Sequence, residues 1–88
     1  MACRCGIEDW RGLRLALRMS QQGISEVCRC SIMTIRRAEG YPHHCVSDWI
    51  VENLRRAIRG RRRLRAALLA SGFAYPWPED LRPGERSA

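Results

Sequence analysis

Apolar residues recur at helical spacing through most of this chain, and polar cap residues separate one helical segment from the next. In the first half, the apolar stripe that begins at Trp10 and includes Leu15 predicts an amphipathic helix. Ser20 and Ser31 are good N-cap residues for two shorter helices, and Gly40 is a suitable stop for the second of these. The predicted helices span residues 8–19, 21–28 and 32–39. A loop over residues 41–45 follows.

In the second half, Ser47 is a candidate N-cap for a fourth helix, and Gly60 interrupts the helical pattern before a fifth segment that ends near Ala70. The fourth helix repeats apolar residues every four positions, at Val46, Ile50, Leu54 and Ile58, and its buried stripe is widened by Trp49, Val51 and Ala57. No period-two strand pattern occurs. We therefore expect an all-α fold, a compact bundle of four to five helices over residues 1–71.

Residues 72–88 differ in composition, with three prolines and two glycines. These residues argue against regular structure, so we expect a Pro-rich, irregular C-terminal tail. Its aromatic residues, Phe73, Tyr75 and Trp77, must then dock on the bundle or stay exposed.

The 88 residues carry a net charge of +7, and all sixteen basic residues are arginines. Residues 45–71 contain seven of these arginines against two acids. Such a segment is either a solvated helix face or the electrostatic footprint of a nucleic acid, because arginine pairs well with phosphate oxygens. No apolar run is long enough to span a bilayer, and charges throughout the first twenty residues argue against a signal peptide. We expect a cytoplasmic protein without membrane association.

The second and third helices, joined by a short turn, have the form of a helix-turn-helix. The chain resembles the Cro and lambdoid-repressor family (XRE-like domains) in three motifs: WRGLR at residues 10–14, MSQ at 19–21 and SIMTI at 31–35. Residues 51–58 also resemble the family's fourth helix. One departure is Arg29, which stands where the family usually has a turn glycine; an arginine with positive φ costs on the order of 1 kcal/mol. Gly12 and Gly23 should each weaken their helices by roughly 0.5–1 kcal/mol relative to alanine.

The resemblance implies roles for individual residues. Arg14 and Glu39 occupy the positions of a partly buried ion pair that fixes the recognition helix in many family members; the alternative is two unconnected surface charges. The implied base contacts in the major groove are Ile32, Met33, Arg36 and Arg37, of which Arg37 is the best candidate to bind guanine. Ile32 and Met33 could instead belong to the core or to a protein interface. Thr34, Ile35 and Ala38 are expected in the core.

Phosphate contacts are expected from Ser20 and Gln21 at the start of the second helix and from the basic fourth helix through Arg55, Arg56 and Arg59. In the fifth segment, Leu64, Leu68 and Leu69 could form a dimer seam. Family members usually bind paired half-sites as homodimers, so we expect double-stranded DNA and a second copy of the chain as partners.

Five cysteines could suggest a metal site, but C-x-C is tighter than the usual zinc spacing. The family resemblance also implies that Cys28 and Cys30 occupy apolar positions beside the turn, where a thiol acts as a small apolar side chain. His43 and His44 fit an exposed loop pair better than a phosphate site. We expect no metal, no cofactor and no catalytic grouping, hence no enzyme.

These observations lead to two hypotheses. The first is a homodimeric transcriptional regulator, a repressor of phage or mobile-element type that binds an inverted-repeat operator. The second is a protein-binding adaptor or inhibitor built on the same scaffold, whose contact surface would combine Ile32 and Met33 with the aromatic residues of the tail.

Overall fold

The computed structural model describes residues 6–41 and 46–82, and its regular structure is entirely helical in those two ranges. The chain folds into five α-helices and one 3-10 turn: α1 (Trp10–Ala16), α2 (Gln21–Cys28), α3 (Ile32–Gly40), α4 (Asp48–Gly60), α5 (Arg62–Ser71) and the 3-10 turn (Pro78–Leu81). The expectation of a compact all-α fold is therefore confirmed. None of the described helices is long and apolar enough to cross a membrane.

The N-caps explain why the first three helices begin where they do. Ser20 accepts a hydrogen bond of 2.9 Å from the Gly23 amide, and Ser31 caps α3 in the same way, as the sequence predicts. The cap of α1 is Asp9, which accepts from the Gly12 amide at 2.8 Å. A methyl group at Gly12 would overlap the Asp9 carboxylate, so this glycine leaves room for the cap.

Helices α1 and α2 end in the same manner, with an arginine in the left-handed region. Arg18 has φ 60° and Arg29 has φ 59°. At each end an amide bonds back five residues, from Met19 to Arg14 and from Cys30 to Ser25. This is the Schellman pattern, in which glycine is the usual residue. It ends α1 at Ala16, so the prediction that this helix extends to Met19 is wrong.

The core lies between α2 and α4, with α1, α3 and α5 packed around it. The fully buried apolar residues of this core are Leu13, Ile24, Cys28, Ile35, Leu54, Ile58 and Leu68. Two expectations about burial are wrong, because Leu15 and Trp49 are each 55% exposed. Leu15 lines an open groove between α1 and α5 instead of contributing to the core.

The leucines of α5 also differ from expectation. Leu64 and Leu68 are each 2% exposed and belong to the core, whereas Leu69 is 64% exposed. The predicted seam of three leucines is therefore wrong, since two of them are already covered within one chain.

The C-terminal segment packs against α4, and part of it is regular. Pro78 begins the 3-10 turn, since the fixed φ of proline suits the first position of a helical turn. The expectation that prolines forbid regular structure here is thus wrong for Pro78–Leu81. Tyr75 is buried, and Trp77 lies partly buried against Gly6, where a Cβ atom would come within 2.9 Å of the indole. We call residues 73–81 the strap.

Candidate nucleic-acid interface

Helix α3 has two distinct faces. Ile35 and Ala38 point into the core, while Met33 is 47% exposed and Arg36 and Arg37 are exposed. Ile32 is half-buried at the start of the helix, and so is Thr34, which was expected in the core. The outer face of α3 therefore consists of two arginines beside a methionine, the residue types that can bind guanine edges and thymine methyl groups.

An ion pair fixes the C-terminal end of α3 to α1. Arg14 Nε donates to Glu39 Oε2 at 2.6 Å and Nη2 donates to Oε1 at 3.2 Å, so the contact is bidentate. The side chains are only 14% and 8% exposed. The pair predicted from the resemblance is present, and it holds α3 in a fixed orientation.

Two neighbours complete this cluster. Gln21 Nε2 donates to Glu39 Oε1 at 3.2 Å, and Arg14 Nη1 donates to the Met19 carbonyl at 3.2 Å. Burial opposes ionisation of Glu39, but the hydrogen bonds from Arg14 and Gln21 outweigh it and hold the pKa of this carboxyl below its usual range. Glu39 is therefore charged at neutral pH.

The predicted phosphate contacts at the start of α2 have partners within the chain. Gln21 is half-buried against Glu39, and the Ser20 hydroxyl accepts the capping bond from Gly23. The Gln21 amide oxygen and the Ser20 hydroxyl proton are not used by these bonds. Phosphate binding by the two residues stays a prediction.

Arg55 and Arg59, which were expected to contact phosphate, have partners within the chain, and phosphate binding by them stays a prediction. Arg55 Nε donates to Asp80 Oδ2 at 2.9 Å, and Arg59 Nη1 donates to Asp80 Oδ1 at 3.0 Å. The Arg55 guanidinium also lies 4.6 Å from the centroid of the Trp77 ring, a cation–π contact. Because the strap supplies an acid and an aromatic ring to these arginines, they hold the strap in place.

Many other arginines keep free guanidinium groups. In residues 6–41 and 46–82, no hydrogen bond or ion pair engages the exposed side chains of Arg11, Arg18, Arg29, Arg36, Arg37, Arg56, Arg61, Arg62, Arg63 and Arg82. Of the predicted phosphate contacts on α4, only Arg56 belongs to this set.

Comparisons with protein-family models, with curated proteins and with solved structures find no match to this chain. Its assignment to the family it resembles therefore remains a prediction based on the quoted motifs and the Arg14–Glu39 pair.

The described cysteines are free thiols, and Cys28 is buried. Burial raises the pKa of Cys28 to about 12, so this residue behaves as a small apolar side chain. Within the described ranges, no three histidine, cysteine or acidic residues are grouped closely enough to hold a metal ion. Cys3, Cys5, His43, His44 and Cys45 lie outside the described residues, so the expectation of no metal site stays a prediction.

Proposed function

We propose that this protein is a sequence-specific regulator of transcription that binds double-stranded DNA in the cytoplasm. In this proposal it is a repressor of phage or mobile-element type, and a homodimer occupies an inverted-repeat operator. The observation that carries the proposal is the outer face of α3, where Arg36 and Arg37 are exposed and without acidic partners beside Met33.

The recognition step follows from that face. With α3 in the major groove, Arg37 donates to the two acceptors of a guanine edge, while Met33 and Ile32 contact thymine methyl groups. The Arg14–Glu39 pair limits rotation of α3, so the side chains proposed to contact bases are already oriented in the free protein. Repression then results from occupancy of the operator.

The adaptor hypothesis receives less support. It requires the aromatic residues of the tail as a contact surface, but Tyr75 is 8% exposed and Trp77 is covered by Arg55 and by the Gly6 backbone. That surface is therefore reduced, since Ile32, Phe73 and Trp77 are half-buried and only Met33 is exposed.

The test is a binding titration with the DNA upstream of the protein's own coding sequence and with a scrambled duplex, across salt concentrations. We expect a preference of at least about a thousandfold at physiological salt, with two protomers per site. Arg36→Ala with Arg37→Ala should abolish most of this preference, because each good bidentate contact to a base is worth about 1–3 kcal/mol.

The matched control is Arg62→Ala with Arg63→Ala, which removes the same charge from exposed positions on α5. It should weaken binding to both duplexes equally and keep the preference. Equal binding of the unmodified protein to both duplexes would overturn the proposed function.

A further inference from the structure

A basic groove lies between the C-terminal halves of α2 and α4, on a different set of elements from the reading face of α3. It is open to solvent and has a volume of about 400 Å³. Val27 and Ala57 are apolar residues in its lining, and Arg29, Arg56 and Arg61 line it with positive charge. These three arginines come from the turn after α2, from α4 and from the junction with α5.

The three arginines of the basic groove are exposed, and no acid or carbonyl of the described chain engages their guanidinium groups. In this they differ from Arg55 and Arg59 of α4, whose guanidinium groups bind the strap. The groove is also lined by one acid, Glu26, whose carboxylate accepts a hydrogen bond of 3.0 Å from Gln22. Three cations against one anion leave the groove positively charged.

The basic groove adjoins the start of α3 and is held rigidly. Arg29 lies in the turn that leads directly into α3, where Ile32 is the first residue. On α4, Asn53 donates to the Cys28 carbonyl at 2.9 Å and so ties this turn to the helix that supplies Arg56. Arg29 precedes Ile32 by three residues, so at least this arginine of the groove lies near any DNA that the N-terminal end of α3 contacts.

We propose that the basic groove binds a backbone phosphate of the DNA that α3 reads, an inference that rests on the proposed function. Guanidinium groups from separate elements surround the anion, and each can donate to its oxygens. The contact carries no sequence information and adds affinity that falls with salt. Glu26 limits this affinity, because its charge repels the phosphate.

The experiment measures the salt dependence of binding to the upstream and scrambled duplexes for Arg29→Gly with Arg56→Gln. Glycine adopts positive φ freely, so the change at Arg29 removes the charge without disturbing the turn. The matched control is Arg18→Gly with Arg63→Gln. Arg18 also has positive φ, and both control arginines line a separate groove between α1 and α5.

We expect the variant of the basic groove to lower the slope of log affinity against log salt by about 1, the change for one lost phosphate contact, on both duplexes, with the sequence preference unchanged. The control should change the slope much less. Glu26→Gln should tighten binding to both duplexes.

The outcomes separate this inference from the proposed function. If groove and control variants change the slope equally, the groove inference is wrong even when the upstream duplex is preferred. If neither duplex is preferred but the groove variant alone lowers the slope, the regulator proposal fails and the phosphate site stands. Absence of binding to any duplex would overturn both.

Discussion

Arg55 and Asp80 form an ion pair in which Arg55 Nε lies 2.9 Å from Asp80 Oδ2, and this contact fastens the strap to α4. Asp80 is 1% exposed, yet it accepts further hydrogen bonds from Arg59 and from the Tyr75 hydroxyl, the latter at 2.6 Å. A buried carboxylate is tolerated only when its oxygens are well satisfied. The strap is therefore an integral part of the domain, held by one acid at the centre of three donors.

Asp80→Asn should lower the free energy of unfolding by about 2–3 kcal/mol, because two arginines and a tyrosine lose their charged acceptor. The matched control is Glu79→Gln, which removes the 64% exposed partner of Arg55 and should cost less than about 1 kcal/mol. Urea denaturation of both variants measures the two losses. Similar losses would mean that Asp80 contributes no more than a surface charge.

The same carboxylate makes stability depend on pH. Burial opposes its ionisation, but the hydrogen bonds from Arg55, Tyr75 and Arg59 hold the pKa of Asp80 below its ordinary value of about 3.9. As the pH falls, the Asp80 carboxylate is therefore protonated at a higher pH in the unfolded chain than in the folded chain. The stabilisation is complete above about pH 5 and is lost as the pH falls through the folded-state pKa.

We accordingly expect the stability difference between the unmodified protein and Asp80→Asn to be constant near neutral pH and to shrink below about pH 4. Denaturation curves over this range measure it. A difference that stays constant into acid would show that the charge of Asp80 contributes nothing to folding.

The Arg14–Glu39 pair can be tested by a double-mutant cycle with Arg14→Met and Glu39→Gln. Each single change should cost about 3 kcal/mol, because it leaves a largely buried partner without its opposite charge. The double variant should lose less than the sum, with a coupling of about 1–3 kcal/mol. The exposed pair Gln22 and Glu26 provides the control cycle, for which we expect a coupling below about 0.5 kcal/mol.

Local signals in the sequence account for much of the fold. Ser20 and Ser31 cap the helices that they were predicted to cap, because an N-cap depends on residues only two or three positions away. The Arg14–Glu39 contact joins residues far apart in the chain, and it was predictable only through the family resemblance.

The position of the strap could not be predicted from such local signals. Proline and glycine content predicts irregular structure, but it does not reveal that Asp80 would meet Arg55 and Arg59 on α4. The spacing of apolar residues predicted which face of α4 is buried and placed the arginines on the opposite face. It could not predict that the strap, which comes later in the chain, would cover part of that polar face. For this reason the sequence did not show that Arg55 and Arg59 bind the strap, and their assignment to phosphate stays a prediction.

Gly6 provides a test of how the N-terminal segment meets the strap. It has φ 89°, and a Cβ atom there would lie 2.9 Å from Trp77 Cζ2. Gly6→Ala should therefore destabilise the protein by about 1–3 kcal/mol and change the fluorescence of Trp77. Gly40→Ala is the control, since its added methyl would meet no atom within 4 Å and should not destabilise. Equal stability of the two variants would contradict this packing.

Arg18 and Arg29 end their helices in a conformation that favours glycine, so replacing either with glycine should raise stability. We expect a gain of about 1 kcal/mol for Arg18→Gly and for Arg29→Gly, because the steric cost of the Cβ atom in the left-handed region disappears. The control is Arg56→Gly in the interior of α4, where the same change should cost about 1 kcal/mol. Thermal and urea denaturation measure all three. A loss of stability at Arg29 comparable to that at Arg56 would show that the turn before α3 does not adopt positive φ. In that case the salt dependence of DNA binding should be measured with Arg56→Gln alone, because Arg29→Gly would disturb the turn.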